Sequence, residues 1–195
     1  ADKSNLFNAP ETYMDKISAN VNENGVIDLD YSIKKNISNL ADYKNTIPEN
    51  LTACILDRPR HKKIIDELKR LKVNLKLITD GDVSGALLVT DIKHKVDIFL
   101  GIGGGPEGVL AASALDAYNC FFQGRFIFDT EESRKRASKM GIKDLERKYM
   151  INEIVRGDSI FCATGITNGD LVNGIKLIVA MLLCFQEMVQ FIPLL

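Results

Sequence analysis

A glycine-rich loop between two apolar segments constrains the fold of this chain more than any other feature. Residues 96–100 are predicted to be a buried strand, residues 101–108 hold five of the 14 glycines, and residues 109–115 are predicted to be a helix. Pro106 suits the first turn of a helix, where its missing N–H costs nothing. Backbone N–H groups at such a helix start bind anions, so we predict a phosphate site here. Glu107 would repel a phosphate unless a cation lay between them, which indicates phosphate together with a metal.

Four segments repeat one order of elements, in which an apolar strand leads into a polar loop and then into an apolar segment. The strands are predicted at residues 52–56, 73–78, 96–100 and 159–163. Strands that alternate with helices indicate an α/β domain with a mostly parallel sheet. Ligands of such sheets bind beyond the carboxyl ends of the strands, and all four loops leave that edge. We therefore predict one site built from the four loops.

Two of these loops carry charged residues with both a structural and a functional interpretation. Arg58 and Arg60 precede a helix, and they are either solvated or ion-paired surface residues or a grip on phosphate oxygens. Asp80 and Asp82 flank Gly81. This segment is either a turn in which Asp82 caps a helix, or a binding segment whose carboxylates accept hydrogen bonds from sugar hydroxyls or help hold a cation. The residues alone leave both alternatives open.

Several isolated residues are assigned structural roles. We predict that His61 and His94 are structural or exposed and carry no catalysis, and that Tyr13 by itself is a packing residue. Arg125 is predicted to be an ion-pair partner, with contact to a second phosphate as the alternative.

Composition narrows the class of protein. The 195 residues are 46% hydrophobic and 26% charged with a net charge of −1, which suits one sizeable core and favours no nucleic-acid partner. The four cysteines are far apart in apolar contexts and form no C-x-x-C pair, which argues against a zinc or disulfide framework. We therefore expect a cytoplasmic protein with no nucleic-acid and no membrane partner.

The glycine spacing also matches the dinucleotide-binding fingerprint. Gly103, Gly105 and Gly108 have the required spacing, and Asp129 follows an apolar run at about the distance, roughly 20 residues, that a ribose ligand requires. The interval between the strands lacks a long helix with clear stops, and Glu107 would face the pyrophosphate with nothing to neutralise it. A nicotinamide-dependent oxidoreductase is thus the weaker interpretation.

A series of motifs falls in the order seen in one enzyme family. The motifs are Tyr13-Met14-Asp15-Lys16-Ile17, residues 25–29, Arg58-Pro59-Arg60-His61, residues 80–83, residues 101–112, Gln123-Gly124-Arg125 and residues 163–167. From about Tyr13 to Gly174 the chain resembles the class II fructose-1,6-bisphosphatases, including the bifunctional fructose-1,6/sedoheptulose-1,7 enzymes. The resemblance implies an α/β chain with the layered sugar-phosphatase fold that is shared with inositol monophosphatases.

The resemblance also implies an activity and a set of site residues. The activity is hydrolysis of the 1-phosphate of fructose 1,6-bisphosphate, and also of sedoheptulose 1,7-bisphosphate, in gluconeogenesis, glycerol metabolism or the Calvin cycle. Mn²⁺ or Mg²⁺ is the implied cofactor, and the full-length enzyme is expected to be a homo-oligomer. Glu107 would be a metal ligand. Substrate contacts would come from Tyr13, Arg58, Arg60, Asp80, Gly81, Asp82 and Gly104. Arg58 stands where the family usually carries lysine, which keeps the charge but replaces a point charge by a planar fork.

The chain departs from the family at both ends. Family members have an amino-terminal half that supplies most metal-binding carboxylates and the hydroxyl that orients the attacking water, and nothing in residues 1–12 matches it. Residues 1–176 are therefore expected to be the carboxyl-terminal α/β portion of such an enzyme. No catalytic residue is assigned within them, and the chain by itself is expected to be inactive. Residues 177–195 are interpreted as a divergent apolar tail from a frame shift or truncated gene, with a membrane-surface tail as the alternative. A non-catalytic sugar-phosphate-binding remnant is the remaining functional alternative.

Overall fold

The computed structural model describes residues 1–2 and 4–175, in which strands and helices alternate along the chain. The strands are β1 (Tyr13–Ala19), β2 (Thr52–Leu56), β3 (Asn74–Ile78), β4 (Ile98–Gly104), β5 (Phe121–Ile127) and β6 (Lys148–Met150). The helices are α1 (Ile33–Tyr43), α2 (Lys62–Arg70), α3 (Asp82–Leu87), α4 (Gly105–Ala117), α5 (Glu131–Lys139) and α6 (Ile151–Ile154). None of these helices is long and apolar enough to cross a membrane. The interpretation of residues 177–195 as a divergent tail lies outside the described residues.

The described strands form one mixed sheet in the order β3-β2-β4-β1-β5-β6. β2 runs parallel to β3 and β4, whereas β1 is antiparallel to both β4 and β5, and β6 is antiparallel to β5. The prediction of a mostly parallel sheet is therefore wrong. The physical reason is β1, which inserts between β4 and β5 against the direction that those two strands share. Its Asp15 and Lys16 interrupt the apolar run by which the other strands are recognised.

Three of the four predicted strands are confirmed, and the fourth is wrong. β2, β3 and β4 lie where the apolar runs place them, but β4 continues to Gly104, so residues 101–104 belong to the sheet and not to a loop. Residues 159–163 form neither a strand nor a helix. Farther along the same segment, Asp170 pairs with Lys76 of β3 at 3.0 Å.

Helices cover both faces of the sheet and give three layers. On one face, α3, α4 and α5 pack over β1, β4 and β5, with Met14 and Phe99 in the core. On the other face, α1 and α2 pack over Ile17 and Leu100. Burial of each large apolar side chain contributes about 1.5–3 kcal/mol, so β1, which is enclosed from both sides, is among the best anchored strands.

Local sequence fixes the helix starts nearest the sheet edge. α2 begins after a 3₁₀ turn at Pro59–His61 and buries Ile65 and Leu68, which confirms the predicted helical spacing. α4 begins directly at the end of β4, with Pro106 in its first turn as predicted. The strand and helix are therefore joined without a loop between them.

Candidate active site

The strand ends bring charged and glycine residues together at one edge of the sheet. β2, β3 and β4 end there at Leu56, Ile78 and Gly104. Because β1 runs in the opposite direction, it begins at this edge, where Tyr13 pairs with Gly104. The site is therefore built from the loops after β2 and β3, the junction of β4 with α4, and the start of β1.

The two arginines of the loop after β2 have different partners. The Arg58 guanidinium lies 4.0 Å from Asp80 Oδ1, and both side chains are exposed, so this ion pair contributes about 0–1 kcal/mol at most. Arg60 Nε donates to the Ile102 carbonyl at 2.9 Å. Its guanidinium carbon lies 5.2 Å from the centroid of the Tyr13 ring. Tyr13 is half exposed, so its ring packs beside Arg60 at the sheet edge and not in the core.

Residues 80–82 form a tight turn into α3. Gly81 has φ of +81°, in the left-handed region that favours glycine, and Asp80 Oδ1 accepts its N–H at 2.9 Å. Gly81 precedes the helix and Asp82 is its first residue, so the interpretation of Asp82 as the N-cap is wrong. Asp80 remains exposed, whereas Asp82 is buried. The two carboxylates of this turn therefore have different surroundings.

A buried lysine, Lys16 of β1, meets the Asp82 carboxylate. Lys16 is 1% exposed, Asp82 is 7% exposed, and the two side chains form an ion pair. Lys16 Nζ also donates to the Gly104 carbonyl at 3.1 Å. Burial lowers the pKa of Lys16, and the charges of Asp82 and Glu107 oppose that shift. One ammonium thus joins β1, the start of α3 and the end of β4.

The glycines around the Lys16–Asp82 ion pair have a steric role. A Cβ on Gly103 would overlap the Asp82 carboxylate and lie 2.9 Å from Lys16 Nζ, and a Cβ on Gly108 would lie 3.2 Å from Lys16 Cδ. The N–H of Gly105 donates to the Thr12 carbonyl at 2.7 Å. The glycine pattern, interpreted from the sequence as a phosphate loop, therefore leaves room for the buried pair.

Glu107 caps α4. Its Oε2 accepts the Gly104 N–H at 3.0 Å, and a carboxylate in the first turn is favoured by the helix dipole. This cap and the nearby charge of Lys16 give Glu107 a structural role as well as the predicted one. Across residues 1–2 and 4–175, no group of three or more His, Cys, Asp and Glu side chains is placed to hold a metal ion. The role of Glu107 as a metal ligand stays a prediction.

His61 joins two of the strands that end at this edge of the sheet. It is fully buried, its Nδ1 lies 2.8 Å from the Leu56 carbonyl, and its Nε2 lies 2.8 Å from the Ile102 nitrogen. A carbonyl only accepts, so Nδ1 carries the proton and Nε2 accepts the Ile102 N–H. The predicted structural role of His61 is confirmed, since it ties β2 to β4 beside Arg60.

This arrangement makes stability depend on pH through His61. Burial lowers its pKa below the usual value, so below about pH 6.5 the unfolded chain takes up a proton at this site before the folded chain does. The free energy of unfolding should therefore fall as the pH drops from about 6.5 towards the folded-state pKa. Urea unfolding across this range should show a smaller fall for His61→Gln than for the wild-type chain. Equal falls in both proteins would show that His61 does not titrate differently on folding.

Arg125 lies in a separate network at the far strands. It forms an ion pair with Asp30, and its Nε donates to the Glu146 carbonyl at 2.9 Å, which confirms the predicted ion pair. Lys148 lies 2.6 Å from oxygens of both Asp28 and Asp30. This network holds the segment before α1 against β5 and β6.

The predicted site residues form one connected series of ion pairs, hydrogen bonds, strand pairing, cation–π packing and neighbouring positions. The path runs through Arg58, Asp80, Gly81, Asp82, Lys16, Gly104 and Glu107, with a branch from Gly104 to Tyr13 and Arg60. Lys16 is the link that the sequence analysis did not assign. The available signal was a lysine inside the Tyr13–Ile17 motif, between the apolar residues Met14 and Ile17.

Comparison with known proteins shows the family of this chain. The family described as bacterial fructose-1,6-bisphosphatase, glpX-encoded, matches residues 1–183. The chain belongs to this family. D-fructose 1,6-bisphosphatase class 2/sedoheptulose 1,7-bisphosphatase from Synechocystis sp. is 36% identical, over 90% of this chain and 55% of that protein's length. The protein of the same description from Synechococcus sp. (strain JA-3-3Ab) is 35% identical, over 90% of this chain and 54% of its own length.

Membership of the fructose-1,6-bisphosphatase family confirms the predicted resemblance and fold. The mixed sheet with helices on both faces is consistent with the layered sugar-phosphatase fold. The chain spans about half the length of the curated relatives it matches. The alternative of a nicotinamide-dependent oxidoreductase is not supported, and Gly103 of its fingerprint lies inside β4 against Asp82.

Proposed function

We propose that this chain forms the sugar-bisphosphate-binding part of a class II fructose-1,6-bisphosphatase. In the full-length enzyme the reaction is hydrolysis of the 1-phosphate of fructose 1,6-bisphosphate, with sedoheptulose 1,7-bisphosphate as a second substrate. The observation that carries the proposal is the path of contacts from Arg58 to Glu107 at one sheet edge. Homo-oligomerisation, a cytoplasmic location and a role in gluconeogenesis, glycerol metabolism or the Calvin cycle stay predictions.

Arg60 is suited to hold a phosphate that does not react. Its Nε is engaged by Ile102, and its two terminal nitrogens have no hydrogen-bond partner within the described part of the chain. The Tyr13 ring lies beside the guanidinium and restricts its orientation. A planar fork held in this way grips two phosphate oxygens at once. Arg58, across the edge beside Asp80, adds a second positive charge.

The turn at residues 80–82 supplies acceptors for the sugar. The Asp80 carboxylate is exposed, and one of its oxygens is used by the Gly81 N–H. Asp82 Oδ2 is engaged by Lys16, so its contact with a sugar hydroxyl would come through Oδ1. Ionised carboxylates only accept hydrogen bonds, which fits them to sugar hydroxyls and not to phosphate.

Glu107 fits the role of one metal ligand. Its Oε2 is the atom that caps α4, which leaves Oε1 for Mn²⁺ or Mg²⁺. The described residues do not complete a site, because Mg²⁺ requires near-octahedral coordination by oxygen atoms. A bound divalent ion would polarise the phosphoryl oxygens and activate water. The residues of this chain would bind and orient the sugar bisphosphate beside it.

The grip assigned to Arg60 predicts a particular kinetic effect. In the full-length enzyme, Arg60→Ala should raise KM for fructose 1,6-bisphosphate more than it lowers kcat, because a grip on the unreacting phosphate is equal in ground and transition states. Steady-state phosphate release measures both constants, with Arg70→Ala, an exposed arginine of α2, as the matched control. A collapse of kcat with unchanged KM would place Arg60 at the reacting phosphate instead.

The proposed activity is tested by completing the enzyme. This chain is substituted for its matching segment in the Synechocystis relative, and phosphate release from fructose 1,6-bisphosphate is measured with and without Mn²⁺. We expect Mn²⁺-dependent release by the hybrid and none above background by the chain alone, because the described residues lack a complete metal site. A well-folded hybrid that releases no phosphate would contradict the proposed activity. Robust release by the chain alone would show that its active site is complete.

A further inference from the structure

We propose that Lys16 is a positioning residue, whose ammonium holds the turn at residues 80–82 and the start of α4 in the arrangement that the sugar bisphosphate requires. The inference rests on the proposed function. Lys16 is not among the substrate or metal residues that the resemblance implies. It acts through Asp82 and Gly104.

The surroundings of Lys16 exclude direct contact with a ligand at the surface. The residue is 1% exposed, and its Nζ is engaged by Asp82 and by the Gly104 carbonyl. These two partners belong to different elements, since Asp82 opens α3 and Gly104 ends β4. Gly104 in turn donates its N–H to Glu107. A displacement of the ammonium therefore reaches both the sugar-facing turn and the predicted metal ligand.

The fold by itself does not require a lysine at this position. Removing an ammonium and a carboxylate from water costs free energy, and apolar pairs of similar volume are often equally stable or more stable. Met14, which lies two residues before Lys16 on the same face of β1, is apolar and fully buried, so an apolar side chain would suit this layer. The buried pair is therefore better explained by the geometry that it imposes on Asp82 and Gly104.

The glycines around the pair provide a matched set of variants. A Cβ on Gly103 would overlap the Asp82 carboxylate, whereas a Cβ on Gly101, two residues earlier in β4, would lie at an ordinary 3.6 Å from His61. Gly103→Ala thus displaces the ion pair while keeping both charges, and Gly101→Ala makes the same chemical change without touching it. Lys16→Met removes the ammonium and keeps most of the side-chain volume. Leu40→Ala, in the core on the opposite face, controls for loss of stability alone.

Hydrogen exchange of the 195-residue chain, read by mass spectrometry without ligand, tests the coupling. Lys16→Met and Gly103→Ala should both accelerate exchange in two separate segments, residues 80–87 and residues 104–110. In Gly101→Ala and Leu40→Ala, the exchange rates of these two segments relative to the rest of the chain should stay as in the wild-type protein. If either segment keeps its wild-type exchange in a folded Gly103→Ala protein, the inference is wrong.

Calorimetric titration with fructose 1,6-bisphosphate then tests whether the arrangement matters for binding. Folded Gly103→Ala should bind the ligand at least about tenfold more weakly than the wild-type chain, as expected for groups displaced by about an ångström. Leu40→Ala should have a lower unfolding temperature and unchanged affinity for the bisphosphate. If Lys16 only stabilised the fold, Gly103→Ala would behave in the same way. Wild-type affinity in Gly103→Ala would overturn the positioning role. Absence of binding by the wild-type chain would instead count against the proposed function, while the exchange experiment still decides the role of Lys16.

Discussion

Glu107→Gln should lower the turnover of the full-length enzyme by at least about tenfold and weaken its activation by Mn²⁺. The reason is that glutamine removes the charge that a divalent ion requires but keeps a carbonyl oxygen for the Gly104 N–H. Stability should therefore change little, because the cap on α4 is kept. Phosphate release as a function of Mn²⁺ concentration, together with thermal unfolding, measures the two effects separately.

Glu107→Ala is the control for the cap. It should lose both the metal activation and the hydrogen bond to Gly104, at a cost of about 1 kcal/mol in the free energy of unfolding. If the Mn²⁺ activation of Glu107→Gln equals that of the wild-type enzyme, then Glu107 is no metal ligand and serves only as the helix cap.

Lys16→Met should lower the free energy of unfolding of the chain by about 3–5 kcal/mol. The variant leaves the Asp82 carboxylate buried without its cation, and an uncompensated buried charge is strongly destabilising. Chemical unfolding near neutral pH measures the loss. The double variant Lys16→Met/Asp82→Asn buries no charge and should recover most of the stability.

A small loss in Lys16→Met, below about 1 kcal/mol, would be typical of an exposed ion pair and would contradict the burial of this one. A double variant as unstable as the single one would show that Lys16 stabilises the fold through contacts other than its charge.

The predictable part of the fold depends on neighbouring residues. β2 and α2, β3 and α3, and β4 and α4 could be predicted because each strand and the helix after it have clear local periodicity. β1 could not, because Asp15 and Lys16 interrupt its apolar run. Its antiparallel position between β4 and β5 depends on strands that are distant in sequence. The predicted relative directions of the strands are therefore wrong, although three of the four predicted strands are confirmed.

In the candidate site, too, one part could be predicted from local sequence and another depends on residues that are distant in sequence. Arg58, Arg60 and Asp80 could be predicted to lie at one edge of the sheet, because the loops after neighbouring parallel strands leave the same edge. The burial of Lys16 could not, since it depends on space left by glycines of β4 and α4. A glycine-rich strand end has the same sequence whether it binds phosphate or makes room for a side chain. Only the packing of Asp82 against Gly103 distinguishes the two.

The most direct test of the account is an NMR titration of the 195-residue chain with fructose 1,6-bisphosphate. The bisphosphate should shift the backbone amide resonances of Arg60, Gly81 and Gly104, which lie together at the sheet edge, and leave those of Arg125 and its network unchanged. Fructose without phosphate should shift them far less, because the arginines bind phosphate oxygens. Unchanged resonances at this edge, or shifts confined to another surface, would contradict the assignment of the sugar-bisphosphate site.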